Sequence, residues 1–112
     1  MSLGGSAVPV ELNDSEFQGF LNQAAKPVMV DFFSPTCGPC RMLAPTIDTM
    51  AKKFLGRIII AKLDTSLHQM SASQYKIRGV PTLLFFKNGQ LVDQKTGALP
   101  EQELTQLLER FA

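Results

Sequence analysis

Two cysteines, Cys37 and Cys40, are the only thiols of the chain, three positions apart in Thr36-Cys37-Gly38-Pro39-Cys40. An apolar run, Val28-Met29-Val30-Asp31-Phe32-Phe33, leads into them, and a helical pattern leads away. That context places Cys37 at a helix N-terminus, where free N–H groups and the helix dipole favour thiolate over thiol. A stabilised thiolate beside a second thiol is the minimum equipment for exchanging disulfides. Cys40, one helical turn on and more buried, reads as the resolving thiol. Its proton needs an acceptor, and Asp31 is the nearest candidate. Apolar neighbours disfavour its charged form and raise its pKa toward neutrality, where a carboxylate works as a general base. Plainer readings stand beside these: a structural cysteine pair, half of a zinc site, or an Asp on an exposed strand. Zinc normally takes four ligands, and two cysteines with one histidine leave such a site incomplete.

The elements that must carry these residues follow from periodicity. Ala7 to Leu12 reads as a short strand, with Pro9 placing it at an edge. Asn13 and Glu16 form a capping-box pair before a helix that runs to about Ala25, with Leu12 and Phe17 at the staple positions. Val28 to Phe33, without alternation, suits a strand covered on both faces. From Cys37 the pattern Leu43, Ile47, Met50, Phe54 predicts a helix closing at Gly56, kinked by Pro45. Arg57 to Leu63 contains Ile58-Ile59-Ile60, which predicts a second buried strand ending at Lys62. Asp64-Thr65-Ser66 supplies capping residues for a modest helix, about Leu67 to Tyr75. Thr82 to Lys87 and Gln90 to Thr96 flank Asn88-Gly89, the preferred pair for a two-residue hairpin turn. Gly97 marks a bulge or a close approach. Pro100 suits the first turn of a last helix with Leu104, Leu107, Leu108 and Phe111 on its apolar face. The order is β-α-β-α-β-α-β-β-α. It predicts an α/β domain with parallel central strands, an antiparallel hairpin edge, and helices on both faces of a mixed sheet.

Bulk properties bound the function. At 112 residues one domain is expected over residues 7–112, with residues 1–6 a disordered leader. A formal net charge of +1 gives no reason to expect nucleic acid or an anionic membrane as partner. No apolar run approaches a bilayer span, and Met1 to Val10 carries no signal-peptide pattern. A cytoplasmic location is expected, or a periplasmic one if a signal peptide has been removed. Two cysteines are too few for a disulfide scaffold. His68 and the methionines read as solvated or packing residues, not as metal ligands.

In these features the sequence resembles the thioredoxin family over nearly all of the chain after Val8. The resemblance rests on Val30-Asp31-Phe32, Cys37-Gly38-Pro39-Cys40-Arg41-Met42, Pro45, Ala61-Lys62-Leu63-Asp64, Tyr75 to Leu84, Phe86-Lys87-Asn88-Gly89 and Gly97-Ala98-Leu99. It implies the thioredoxin fold and a protein-disulfide reductase in which Cys37 attacks and Cys40 releases the product. The chain is then left with a Cys37–Cys40 disulfide. It also implies Lys62 as a partner of Asp31, a cis Val80-Pro81 bond beside the dithiol, and substrate pairing with the backbone before Pro81. Gly38, Pro39, Gly79, Gly97 and Ala98 would keep the surrounding surface low and apolar. No bound cofactor and no metal is implied; electrons would come from NADPH through a thioredoxin reductase, to a monomer. The family's usual tryptophan before the first cysteine is Thr36 here, and a second, three positions earlier, is Phe33. Two rival readings remain: an oxidase or isomerase of the same fold in an oxidising compartment, and a non-catalytic interaction module.

Overall fold

The computed structural model describes residues 6–112; the expected leader lies outside the described residues except for Ser6. Five strands and four helices follow in the expected order: β1 (Val10–Leu12), α1 (Phe17–Gln23), β2 (Val28–Phe33), α2 (Gly38–Lys53), β3 (Ile59–Asp64), α3 (Gln69–Gln74), β4 (Thr82–Lys87), β5 (Gln90–Thr96) and α4 (Glu101–Glu109). The strands form one mixed sheet in the order β1-β3-β2-β4-β5.

Every residue of β2 from Val28 to Phe32 is buried, as expected of a strand covered on both sides. Its alternate residues serve two cores. Val28, Val30 and Phe32 pack with Phe17, Phe20 and Leu21 of α1 and with Ala72 of α3. Met29 packs with Leu43, Ile47 and Met50 of α2 and with Leu104, Leu107 and Leu108 of α4. Because strand side chains alternate, Asp31 shares the α2 face with Met29. The same period puts Lys62 on the face of Ile60, and Asp31 stands opposite Lys62 in the parallel β2–β3 register.

The sheet departs from expectation at β4, which runs antiparallel to β2 as well as to β5. The segment leaving β3 at Asp64 passes through α3 and turns back to the same end of the sheet. It re-enters beside the end of β2, where Phe32 pairs with Thr82. The segment before β4 is thereby delivered to the same end of the sheet as the cysteines.

Local chemistry adjusts several boundaries. Asn13 and Glu16 do pair: Asn13 Oδ1 accepts from the Glu16 N–H at 2.9 Å, and Asn13 Nδ2 donates to Glu16 Oε1 at 2.6 Å. Glu16 itself is the cap of α1, however, so Asn13 closes the turn ahead of the helix and does not cap it. Pro45 lies inside α2, with helix on both sides of it. Pro100 is the cap of α4 and not part of its first turn. Asn88 and Gly89 both adopt positive φ, the backbone that a tight hairpin turn demands. The strand irregularity sits between Phe85 and Phe86, opposite β5, and not at Gly97.

One anchor was not visible in the sequence. Asp14, ahead of α1, accepts from the backbone N–H groups of Met70 and Ser71 at 3.0 and 2.8 Å, capping α3 from across the fold. Burial works against its charge, but these two donors hold its carboxyl below the usual range. Asp14→Ala should cost about 1 kcal/mol of stability. Amide hydrogen exchange should be faster at Met70 and Ser71, while the amides of β2 remain protected.

Candidate active site

Cys37 is the N-cap residue of α2, in extended backbone, and Pro39 occupies the first turn, where its missing N–H costs nothing. Cys37 and Cys40 are joined as a disulfide. Cys37 Sγ also accepts the backbone N–H of Cys40 at 3.1 Å. Once the bond is opened, that donor and the start of a sixteen-residue helix favour negative charge on this sulfur. The two sulfurs are not equivalent, because Cys37 is half-buried at the surface and Cys40 is only 3% exposed. Gly38, Pro39 and Thr36 around them are exposed. The Thr36 hydroxyl lies 3.1 Å from that of Ser34, which closes the turn between β2 and α2.

Behind Cys40 is a cavity of about 40 Å³, lined by Asp31, Phe33, Ala44, Ile47, Asp48 and Lys62 together with Cys40 itself. Asp31 is 4% exposed, and its Oδ1 has no hydrogen-bond partner among the described residues. Burial pushes its pKa up from 3.8 to about 7, with the Lys62 charge working weakly in the other direction. Lys62 is not the direct partner expected for Asp31. Its Nζ lies 3.9 Å from Glu11 Oε1 and 5.7 Å from the centre of the Phe33 ring, and it acts on Asp31 only as a nearby charge. Strand register explains this: Glu11 and Asp31 are both opposite Lys62, and Glu11 reaches it at the solvent edge.

Val80-Pro81 is a cis bond, and the Val80 carbonyl oxygen lies 3.6 Å from Cys37 Sγ. Pro81 is buried while Gly79 is exposed. The N–H groups of Arg78, Gly79 and Val80 donate no backbone hydrogen bond among the described residues, so this segment presents an edge of unpaired donors beside the disulfide, while the Gly79 carbonyl accepts the Thr82 hydroxyl at 2.6 Å. Gly97 comes to the same place. Its N–H donates to the Pro81 carbonyl at 2.9 Å, and its φ of +88° is a conformation that other residues rarely adopt. Ala98 follows it on the surface. Three separate segments, residues 36–40, 78–81 and 97–98, thus meet at one end of the sheet.

Two residues at this end carry roles that the sequence did not show. Thr65 donates its hydroxyl and its N–H to the Phe33 carbonyl, at 3.1 and 2.8 Å, tying the β3–α3 turn to the strand that carries the cysteines. Arg78 borders a groove beside Val80. Neither role follows from periodicity, since both depend on contacts between segments distant in sequence. Among the described residues no group of three or more His, Cys, Asp or Glu is placed to hold a metal ion. No helix among them is long and apolar enough to cross a membrane.

Comparison with known proteins gives one family. Residues 8–110 match the Thioredoxin family model. The chain is 42% identical to a thioredoxin of Synechocystis sp. over 106 residues, covering 95% of this chain and 98% of the relative. It is 45% identical to thioredoxin 1 of Nostoc sp. over 100 residues, 89% of this chain and 94% of the relative. With the chloroplastic M-type thioredoxin of Spinacia oleracea it shares 45% identity over 101 residues, 90% of this chain and 56% of that protein. The chain thus spans a little over half the length of that plant relative.

The Asp31 carboxyl binds its proton more tightly in the folded chain than at the ordinary value of 3.8. Its contribution to stability is therefore fully present below about 3.8 and is lost as pH rises through about 7. Asp31→Asn should leave stability near its parent's at pH 4. At pH 8 it should stabilise the chain, by at most about 4 kcal/mol. Urea unfolding of the oxidised protein at both pH values measures the difference.

Proposed function

The chain belongs to the thioredoxin family, and from that membership we propose that it reduces protein disulfides through Cys37 and Cys40. The observation that carries this reading is the asymmetry of the two sulfurs: one accessible at a helix cap, the other buried in front of a carboxylate. In the reduced chain the Cys37 thiolate attacks a substrate disulfide, forming a mixed disulfide and expelling one substrate thiolate. Cys40 then gives up its proton and attacks the Cys37 sulfur. The second substrate thiolate leaves, and two electrons have passed from the dithiol to the substrate.

Asp31 is the proton acceptor for Cys40 in this reading. Its pKa of about 7 leaves a large fraction of carboxylate at neutral pH while keeping it basic enough to take the proton. The cavity between them has room for about one water molecule, enough for a one-step relay. Lys62 tunes that carboxylate as a nearby charge. Substrate lies along the unpaired edge of residues 78–80, where main-chain bonds supply affinity without reading side chains. Gly38, Pro39, Gly97 and Ala98 keep the approach open, and Thr36 contributes a small hydroxyl beside Cys37. This chemistry needs no bound cofactor. The oxidised chain is returned to the dithiol by a thioredoxin reductase drawing on NADPH, in the cytoplasm, with the protein acting as a monomer.

Cys37→Ser should reduce insulin disulfides at no more than the uncatalysed rate. Cys40→Ser should retain the first attack and accumulate mixed disulfides with its substrates. A Cys37→Ser protein turning over at the parent rate would overturn the assignment, and a Cys40→Ser protein that captures nothing would favour a non-redox binding module. With NADPH and a thioredoxin reductase the parent should turn over. Thr36→Trp should change the KM for the reductase and leave the rate with dithiothreitol as reductant unchanged.

A further inference from the structure

A groove of about 210 Å³ opens beside the disulfide, lined by Thr65, Ala72, Ile77, Arg78, Gly79 and Val80. It is continuous with the unpaired edge, since Val80 both walls the groove and places its carbonyl 3.6 Å from Cys37 Sγ. Ala72, Ile77 and Val80 make its walls apolar. The Thr65 hydroxyl already donates to the Phe33 carbonyl, so its proton is committed. The one charged group on the groove is Arg78, which is exposed and makes no ion pair among the described residues. Lys76, two residues away, is likewise basic and exposed, and the acidic side chains that flank the groove-lining segments are engaged, Asp14 by the N–H groups of Met70 and Ser71 and Asp64 by that of Ser66.

We propose that this groove is a subsite for a substrate side chain within two residues of the reactive cysteine, and that Arg78 selects an acidic one. A glutamate fits the arrangement: its aliphatic stem lies on Ile77 and Val80, and its carboxylate meets the guanidinium, which is suited to bidentate recognition. The main-chain edge holds substrates of any sequence, and Arg78 ranks them by charge. This inference rests on the disulfide-reductase reading above and deepens it by naming a class of substrate.

The test uses short peptides with one cysteine held as a mixed disulfide with 2-mercaptoethanol. Each carries Glu, Gln or Lys at one of the two positions on either side of that cysteine. Second-order rate constants with the reduced protein should favour Glu over Lys by about five- to tenfold at one position in low salt, and by less at high salt. Arg78→Glu should invert the order, and Arg78→Lys should keep most of it. Lys76→Glu, which changes net charge equally, should preserve it. Each peptide rate is divided by the same protein's rate with 2-hydroxyethyl disulfide, which has no side chain for the groove, so that a general change in thiolate reactivity cancels and only the preference among Glu, Gln and Lys is compared. Glu and Lys peptides reacting within twofold at every position would overturn the subsite. So would equal loss of preference in Lys76→Glu and Arg78→Glu, which would show general attraction. Failure to reduce 2-hydroxyethyl disulfide at all would overturn the reductase reading instead, and the subsite with it.

Discussion

The return of the chain to the cysteine end of the sheet governs this structure. The segment leaving β3 at Asp64 passes through α3 and comes back beside the end of β2, where Thr82 of β4 pairs with Phe32. The antiparallel pairing of β4 follows, and so does the placement of the Val80-Pro81 segment against Cys37. The hairpin at Asn88-Gly89 then sends β5 back, so that Gly97 arrives at the Pro81 carbonyl. Each of the three segments at the site is thus a consequence of where a strand is forced to start or stop. Asp14 and Thr65 hold that arrangement from outside, one capping α3 and the other tying the turn before it to Phe33.

Within that frame β2 carries the chemical conflict. A strand buried on both faces has no cheap place for a carboxylate, yet Asp31 lies in it with Oδ1 unpartnered. Lys62 faces it across the register but is drawn to the solvent edge by Glu11 and lies over the Phe33 ring. Its charge therefore only moderates the penalty. The unrelieved burial cost keeps the Asp31 pKa near 7 and makes the carboxylate useful as a base, at the expense of stability at high pH. Ala44 and Ile47 line the same cavity behind Cys40, which at 3% exposure is the concealed sulfur of the pair.

Much of this was legible in the sequence, and for identifiable reasons. The order of elements followed from apolar runs broken by proline, glycine and Asn-Gly, because those signals are local. Burial of Asp31 followed from its apolar neighbours, and Cys37 fell at the cap because a strand ended and a helix began around it. The direction of β4 was not legible, since it depends on which end of the sheet the segment from Asp64 to Thr82 returns to, and no local signal marks that. The partner of Lys62 was missed because β1 and β2 both flank β3, and a single sequence does not say which carboxylate wins. Asp14 and Arg78 look like ordinary surface charges until residues more than fifty positions from Asp14, and the groove beside Arg78, are brought to them.

The central claim is that the fold makes the two thiols unequal, one to attack and one to resolve. Alkylation of the reduced protein with limiting iodoacetamide at neutral pH, followed by peptide mapping, measures that inequality directly. The account predicts carboxamidomethyl groups on Cys37 and almost none on Cys40 while the protein remains folded, with both sulfurs labelled once it is unfolded. Labelling of Cys40 in the folded protein as fast as Cys37 would contradict it.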